Sequence, residues 1–195
     1  MARPLHKAPE SRDGPALIGQ ARALKLLGPL LEGSERVGVA IIGPELVGKS
    51  ALVWAWMREA RRQKRETPPV FATSGAQLIA GMSGLGQWQE RLRRVLEAAE
   101  TLGAVLYFED MGDLFGDRAE GNVDLPGAIK PFLEAGRVRL MGELTPDALD
   151  LFESRHVGFF GSLNRIKLEP LSDEDTVEAL RRRSAHDRDR EPDRP

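Results

Sequence analysis

Lys49 and Ser50 close an eight-residue stretch, Gly43-Pro44-Glu45-Leu46-Val47-Gly48-Lys49-Ser50, with the spacing G-x-x-x-x-G-K-S. These residue types suit one kind of chemistry. The two glycines let the backbone turn so that successive amide N–H groups face inward, and such a concave positive cradle takes phosphate oxygens. A lysine at the end of the loop reaches the terminal phosphates, and the serine hydroxyl ligates Mg²⁺. The amide of Ala51 continues the same row. Gly43 to Ala51 are thus the candidate phosphate-binding residues, with Ser50 a candidate metal ligand.

A second set of chemical groups is a pair of carboxylates. Ala104-Val105-Leu106-Tyr107-Phe108 runs straight into Glu109-Asp110. An apolar strand that ends in acids places them at the carboxyl edge of a sheet, where α/β proteins bind ligands. One acid, Glu109, is expected to hold the metal with Ser50. The other, Asp110, is expected to activate a water. His6, His156 and His186 are scattered, with no partner at ligand spacing, and carry no such expectation.

These groups need a frame. Val37 to Ile42, short, apolar and rich in β-branched residues, predicts a buried parallel strand entering the loop, and Ala51 to Ala60 predicts a helix leaving it. Further strands are expected at 70–73, 104–110, 138–142 and 165–168. Helices are expected at 20–31, where Gly28-Pro29 bends the helix without ending it, at 87–101, at 122–135 and at 145–152. The last of these has Thr145 as cap and Pro146 in its first turn. A capped helix opening at Ser172 is expected to turn Val177 and Leu180 inward. Trp54 and Trp56 cannot share one helix face, so one is expected in the core and the other at its boundary.

Strands alternating with helices in 195 residues predict one α/β domain over 16–180. Residues 1–15, aperiodic and proline-bearing, read as a flexible arm, and 181–195, polar and charged, as a disordered tail. A net charge of −2 with both signs abundant argues against a nucleic-acid footprint. No cysteine is available for disulfides or thiolate metal sites. No apolar run is long enough to span a bilayer, and a cytoplasmic location is expected.

The whole pattern resembles the first ATPase module of the Clp-type AAA+ unfoldases, from about Ala16 to Leu180. Ala16-Leu17-Ile18-Gly19-Gln20 is similar to the opening segment of that family, which lines the adenine pocket. This implies roles for Ile18 and Gly19 in cofactor binding. Leu78-Ile79-Ala80-Gly81 with Gly86 to Leu92, and Ala119 to Asn122 with Ile129-Lys130-Pro131, resemble its two pore-facing units. Glu169-Pro170 and Glu174-Asp175-Thr176 resemble the way out of its large subdomain. The resemblance implies a three-layer αβα P-loop NTPase sandwich with a mostly parallel sheet, without the helical lid. It also implies ATP and Mg²⁺ as cofactors. A protein substrate or Clp-like partner, and assembly into homo- or hetero-oligomers, are implied in turn.

The departures from the family pattern bear on turnover. The acidic strand end reads Glu109-Asp110 where the family has Asp then Glu, which shifts each carboxylate by one methylene. Displacements of about 1 Å cost on the order of a hundredfold in rate. Gly84 stands at the pore position of an aromatic. The γ-phosphate-sensing position falls at Leu144 or Thr145, of which only Thr145 can hydrogen-bond. The paired arginines fall near Gly161 and Ser162, with Arg155 and Arg165 out of register. Two readings follow: a weak Mg²⁺-dependent ATPase linked to protein remodelling, or a pseudo-ATPase that binds nucleotide without turnover and regulates or scaffolds a partner.

Overall fold

The computed structural model describes residues 2–81, 86–115 and 123–190. Along the chain come β1 (Arg3–Pro4), α1 (Ala21–Glu32), β2 (Gly38–Ile42), α2 (Lys49–Arg62), β3 (Val70–Thr73), α3 (Gly75–Ile79) and α4 (Gln87–Leu102). Then follow β4 (Val105–Phe108), α5 (Leu125–Glu134), β5 (Arg139–Leu144), α6 (Pro146–Glu153), α7 (Val157–Gly161), β6 (Leu163–Lys167) and α8 (Asp173–Arg190). Their sheet has the order β1-β3-β4-β5-β2-β6. Its pairings are parallel except at the edge, where β1 runs antiparallel to β3.

Strand side chains alternate between faces, and the sequence fills both faces with apolar residues. Val39, Ile41, Tyr107, Met141 and Ile166 pack with Leu27 and Leu31 of α1 and with Leu52, Val53 and Trp56 of α2. Ala40, Ile42, Leu106, Phe108, Leu140 and Leu144 pack with Leu92 and Leu96 of α4, Ile129 of α5 and Phe160 of α7. Two cores on one sheet give the three-layer αβα sandwich. Trp56 lies in the core and donates to Glu32 Oε1 at 2.7 Å, while Trp54 stays half-buried at the boundary.

Proline positions follow their chemistry. Pro29 and Pro131 lie inside α1 and α5, which run through them, and Pro126 and Pro146 occupy first turns. Thr145 caps α6, its Oγ1 accepting from the Ala148 N–H at 3.2 Å.

Three expectations are corrected. Residues 1–15 do not read as a loose arm where described: Arg3 and Pro4 pair with Ala72 and Phe71, and Leu5 is fully buried against the α1–α2 core. A proline on an edge strand gives up no ladder bond that the sheet needs, and this lets so short a segment dock. Residues 181–190 continue α8 rather than a disordered tail. Arg182–Glu178 and Arg183–Asp187 are ion pairs at helical spacing, so the interleaved charges support the helix. Val177 and Leu180 on α8 face solvent, not the core. The pore-facing stretches around Gly84 and at Ala119 to Asn122 lie outside the described residues, as do residues 191–195.

Candidate functional site

The site is built where β2 hands over to α2, between β5 and β6. Gly43 leaves the strand with its N–H donating to the Leu144 carbonyl at 3.1 Å. A Cβ there would come within 2.8 Å of Val47 Cγ1 and 2.9 Å of the Leu168 carbonyl oxygen, so only glycine fits. Gly48 takes φ 98°, a left-handed conformation costly for other residues, and α2 starts at Lys49. Having no side chain, Gly48 leaves the first turn of α2 uncapped. The N–H groups of Lys49, Ser50 and Ala51 are thus available to an anion, with the helix dipole behind them.

Lys49 reaches back across this cradle. Its ammonium donates to the carbonyls of Gly43 at 2.8 Å and Pro44 at 2.7 Å. Pro44, Glu45 and Leu46 form the exposed rim, and Leu46 holds φ 60° with its side chain in solvent. Beside the loop is a cavity of about 390 Å³. Ile18, Val47, Ala51, Trp54 and Leu171 line it, together with Arg183 and His186 of α8. Gly19, at φ 69°, turns the chain against Leu171 next to this cavity.

The serine side of the cradle holds a third acidic group, Glu143, not among the expected site residues. Ser50 Oγ donates to Glu143 Oε2 at 3.1 Å, and the Tyr107 hydroxyl donates to Glu143 Oε1. Glu143 lies on β5 opposite Ile41 of β2 and is only 5% exposed. Burial raises its pKa. The hydrogen bonds from Tyr107 and Ser50 and the charge of Lys49 work against that rise. Burial also raises the Tyr107 phenol, with Glu143 adding to the shift, so Tyr107 stays a neutral donor. The apolar run that predicts this strand stops at Gly142, so Glu143 falls outside the expected strand. The signal was present: in Leu140-Met141-Gly142-Glu143-Leu144, Leu140 and Leu144 share one core and Met141 sides with Tyr107 in the other. Period-2 alternation then sends position 143 to the α2 side.

The acidic pair at the end of β4 sits differently from expectation. Glu109 and Asp110 are both exposed and line a separate cleft with Arg3, Ser74 and Asp113. Glu109 Oε1 accepts from Arg3 at 2.7 Å. Asp110 Oδ1 accepts from the Gly112 N–H at 2.8 Å, capping the 3-10 turn at Met111–Leu114. Neither hydrogen-bonds to Ser50, although the Glu109 charge is felt at Glu143. Thr145 is occupied as the α6 cap. Arg165 pairs with Glu153, while Arg155 lies exposed.

The donor set fits a nucleotide triphosphate with its magnesium. Among the described residues no three His, Asp or Glu side chains form a metal cluster. Magnesium at such loops is held by one or two protein oxygens together with phosphate and water, so Ser50 and one nearby carboxylate suffice.

Fold and site together define an α/β P-loop protein. No family model matches the chain. It is 25% identical over 173 residues to the chaperone protein ClpB of Aquifex aeolicus, covering 85% of this chain and 17% of that protein. It is 27% identical over 175 residues to a probable ATP-dependent Clp protease ATP-binding subunit of Chlamydia pneumoniae, covering 85% of this chain and 20% of that one. Among solved structures, the S. cerevisiae Hsp104:casein complex superposes with a TM-score of 0.77 at 22% identity, over 92% of this chain and 32% of that one. The resemblance to Clp-type AAA+ modules thus holds both in sequence and in fold. The chain spans about a fifth of the length of the curated relatives.

Proposed function

We propose that this chain is an ATP-binding AAA+ module that takes ATP with Mg²⁺ at Gly43–Ala51, turns it over weakly and serves protein remodelling in the cytoplasm. The observation that carries the reading is the uncapped start of α2 behind a left-handed Gly48, with Lys49 folded over the loop carbonyls. In this reading the backbone N–H groups and Lys49 bind the phosphates, Ser50 helps hold the metal, and the cavity beside Ile18 and Gly19 takes the base. Bound magnesium supplies charge neutralisation at the phosphates. Asp110 is assigned to orient water and Thr145 to sense the terminal phosphate. The likeness to ClpB and Clp ATP-binding subunits supports a remodelling role, and Hsp104 has been solved with casein. A protein partner and assembly with copies or relatives are part of the proposal.

A second reading, a pseudo-ATPase that binds without turnover, is favoured by three commitments. Glu109 is held by Arg3, Asp110 caps a turn, and Arg165 is held by Glu153. Calorimetry and single-turnover hydrolysis separate the two. Lys49→Ala should weaken ATP binding by about ten- to a hundredfold, the loss of one charged hydrogen-bonding group. Slow hydrolysis abolished by Asp110→Ala supports the ATPase, and tight binding with no hydrolysis supports the pseudo-ATPase. No ATP binding by the wild type overturns both. Sedimentation with and without ATP tests assembly.

A further inference from the structure

We propose that Glu143 on β5, and not Glu109 at the end of β4, is the carboxylate that takes the magnesium beside Ser50 when nucleotide is bound. The inference rests on the nucleotide-binding reading above and goes beyond it, because it moves the metal ligand to a different strand.

Three observations carry it. The first is placement: Glu143 Oε2 already lies 3.1 Å from Ser50 Oγ, within the reach of two oxygens that share one small cation. The second is charge. A carboxylate only 5% exposed makes no ion pair among the described residues: Lys49 acts on it by charge at a distance, while its ammonium hydrogen-bonds go to the carbonyls of Gly43 and Pro44. Burying a carboxylate without a cation is costly, and a metal between Ser50 and Glu143 supplies the cation. The third is orientation. Tyr107 holds the far oxygen of Glu143, as the outer partners of metal-ligating carboxylates do, and leaves Oε2 for the metal. Glu109 has none of these. It is exposed, it is paired with Arg3, and Ser50 is not among its partners.

The test measures metal affinity directly. Mn²⁺ binding to the protein–ATP complex is followed by electron paramagnetic resonance, and ATP binding in EDTA is measured by calorimetry on the same samples. Glu143→Gln should weaken Mn²⁺ by at least about tenfold, since even the loss of an outer partner of a metal ligand costs that much, and leave metal-free ATP affinity unchanged. Glu109→Gln should leave both unchanged. Mn²⁺ affinity that survives Glu143→Gln overturns the proposal, and so does its loss in Glu109→Gln alone. Should Glu143→Gln not fold, Glu143→Asp carries the test: weakened Mn²⁺ with intact metal-free ATP binding supports the proposal, and unchanged Mn²⁺ overturns it. Wild type that binds ATP in EDTA yet ignores changes at Glu143 removes this assignment alone. Wild type that binds no ATP at all removes the nucleotide reading with it.

Discussion

At the scale of the residue, glycines shape the cradle and charged groups give it chemistry. Gly43 is the tightest point, since the atoms facing its missing Cβ include the Leu168 backbone carbonyl, which cannot rotate away. Gly43→Ala should therefore destabilise the fold by about 1–3 kcal/mol, the usual cost of overpacking. Urea unfolding measures it, and an unchanged midpoint would mean that the loop relaxes freely. The loop residues were legible in the sequence because phosphate binding demands a fixed local spacing. Glu143 was not, because its role comes from pairing between β5 and β2, and its strand runs two residues past the apolar stretch that revealed it. Glu109 shows the converse. Its strand end was legible, but its partner Arg3 stands 106 residues away in sequence, on a segment with no periodicity to announce it.

At the scale of the element, strands β2 to β6 and helices α1, α2, α4, α5 and α6 were legible from apolar periodicity, since each buries a face. Of the two ends, β1 was not, and α8 only in its start after Ser172. Two paired residues make too short a strand to show alternation, and the continuation of α8 to Arg190 through alternating charges has no apolar stripe. What anchors β1 is the side chain that follows it. Leu5 is fully buried with Val70 and Ala72 of β3 and Met57 of α2 in one core cluster. Leu5→Ala should cost about 2–5 kcal/mol, the range for truncating a buried leucine. A loose arm would lose less than about 0.5 kcal/mol, as surface positions do. Denaturant unfolding of the full chain distinguishes these outcomes, and a negligible loss would release the first residues from the sheet.

At the scale of the whole molecule, surface ion pairs, some between elements and some along α4, set the response to acid. Glu100 on α4 accepts from Arg137 beyond α5, Glu153 on α6 from Arg165 on β6, and Glu90 on α4 from Arg93 and Arg94. Hydrogen bonds from these arginines hold all three carboxyls below the usual range, Glu90 down to about 2. A lowered folded pKa favours the ionised form in the folded chain. The stability it contributes is complete above the unfolded value of 4.5 and is lost as pH falls through the folded value. Glu143 runs the other way: burial raises it, so its ionisation disfavours the folded chain as pH rises. Acidification from about pH 5 towards pH 2 should therefore lower the unfolding midpoint. The variant Glu90→Gln, Glu100→Gln, Glu153→Gln should start lower at neutral pH and fall less. Its curve should meet that of the wild type near the acid end, because the pairs made by these three carboxylates are by then broken in both. These carboxyls are partly exposed and screened by solvent, so the gap at neutral pH is small and shrinks further in salt. Coincident curves across the whole pH range would show that the pairs contribute nothing to stability, and that the layers are held by the two apolar cores alone.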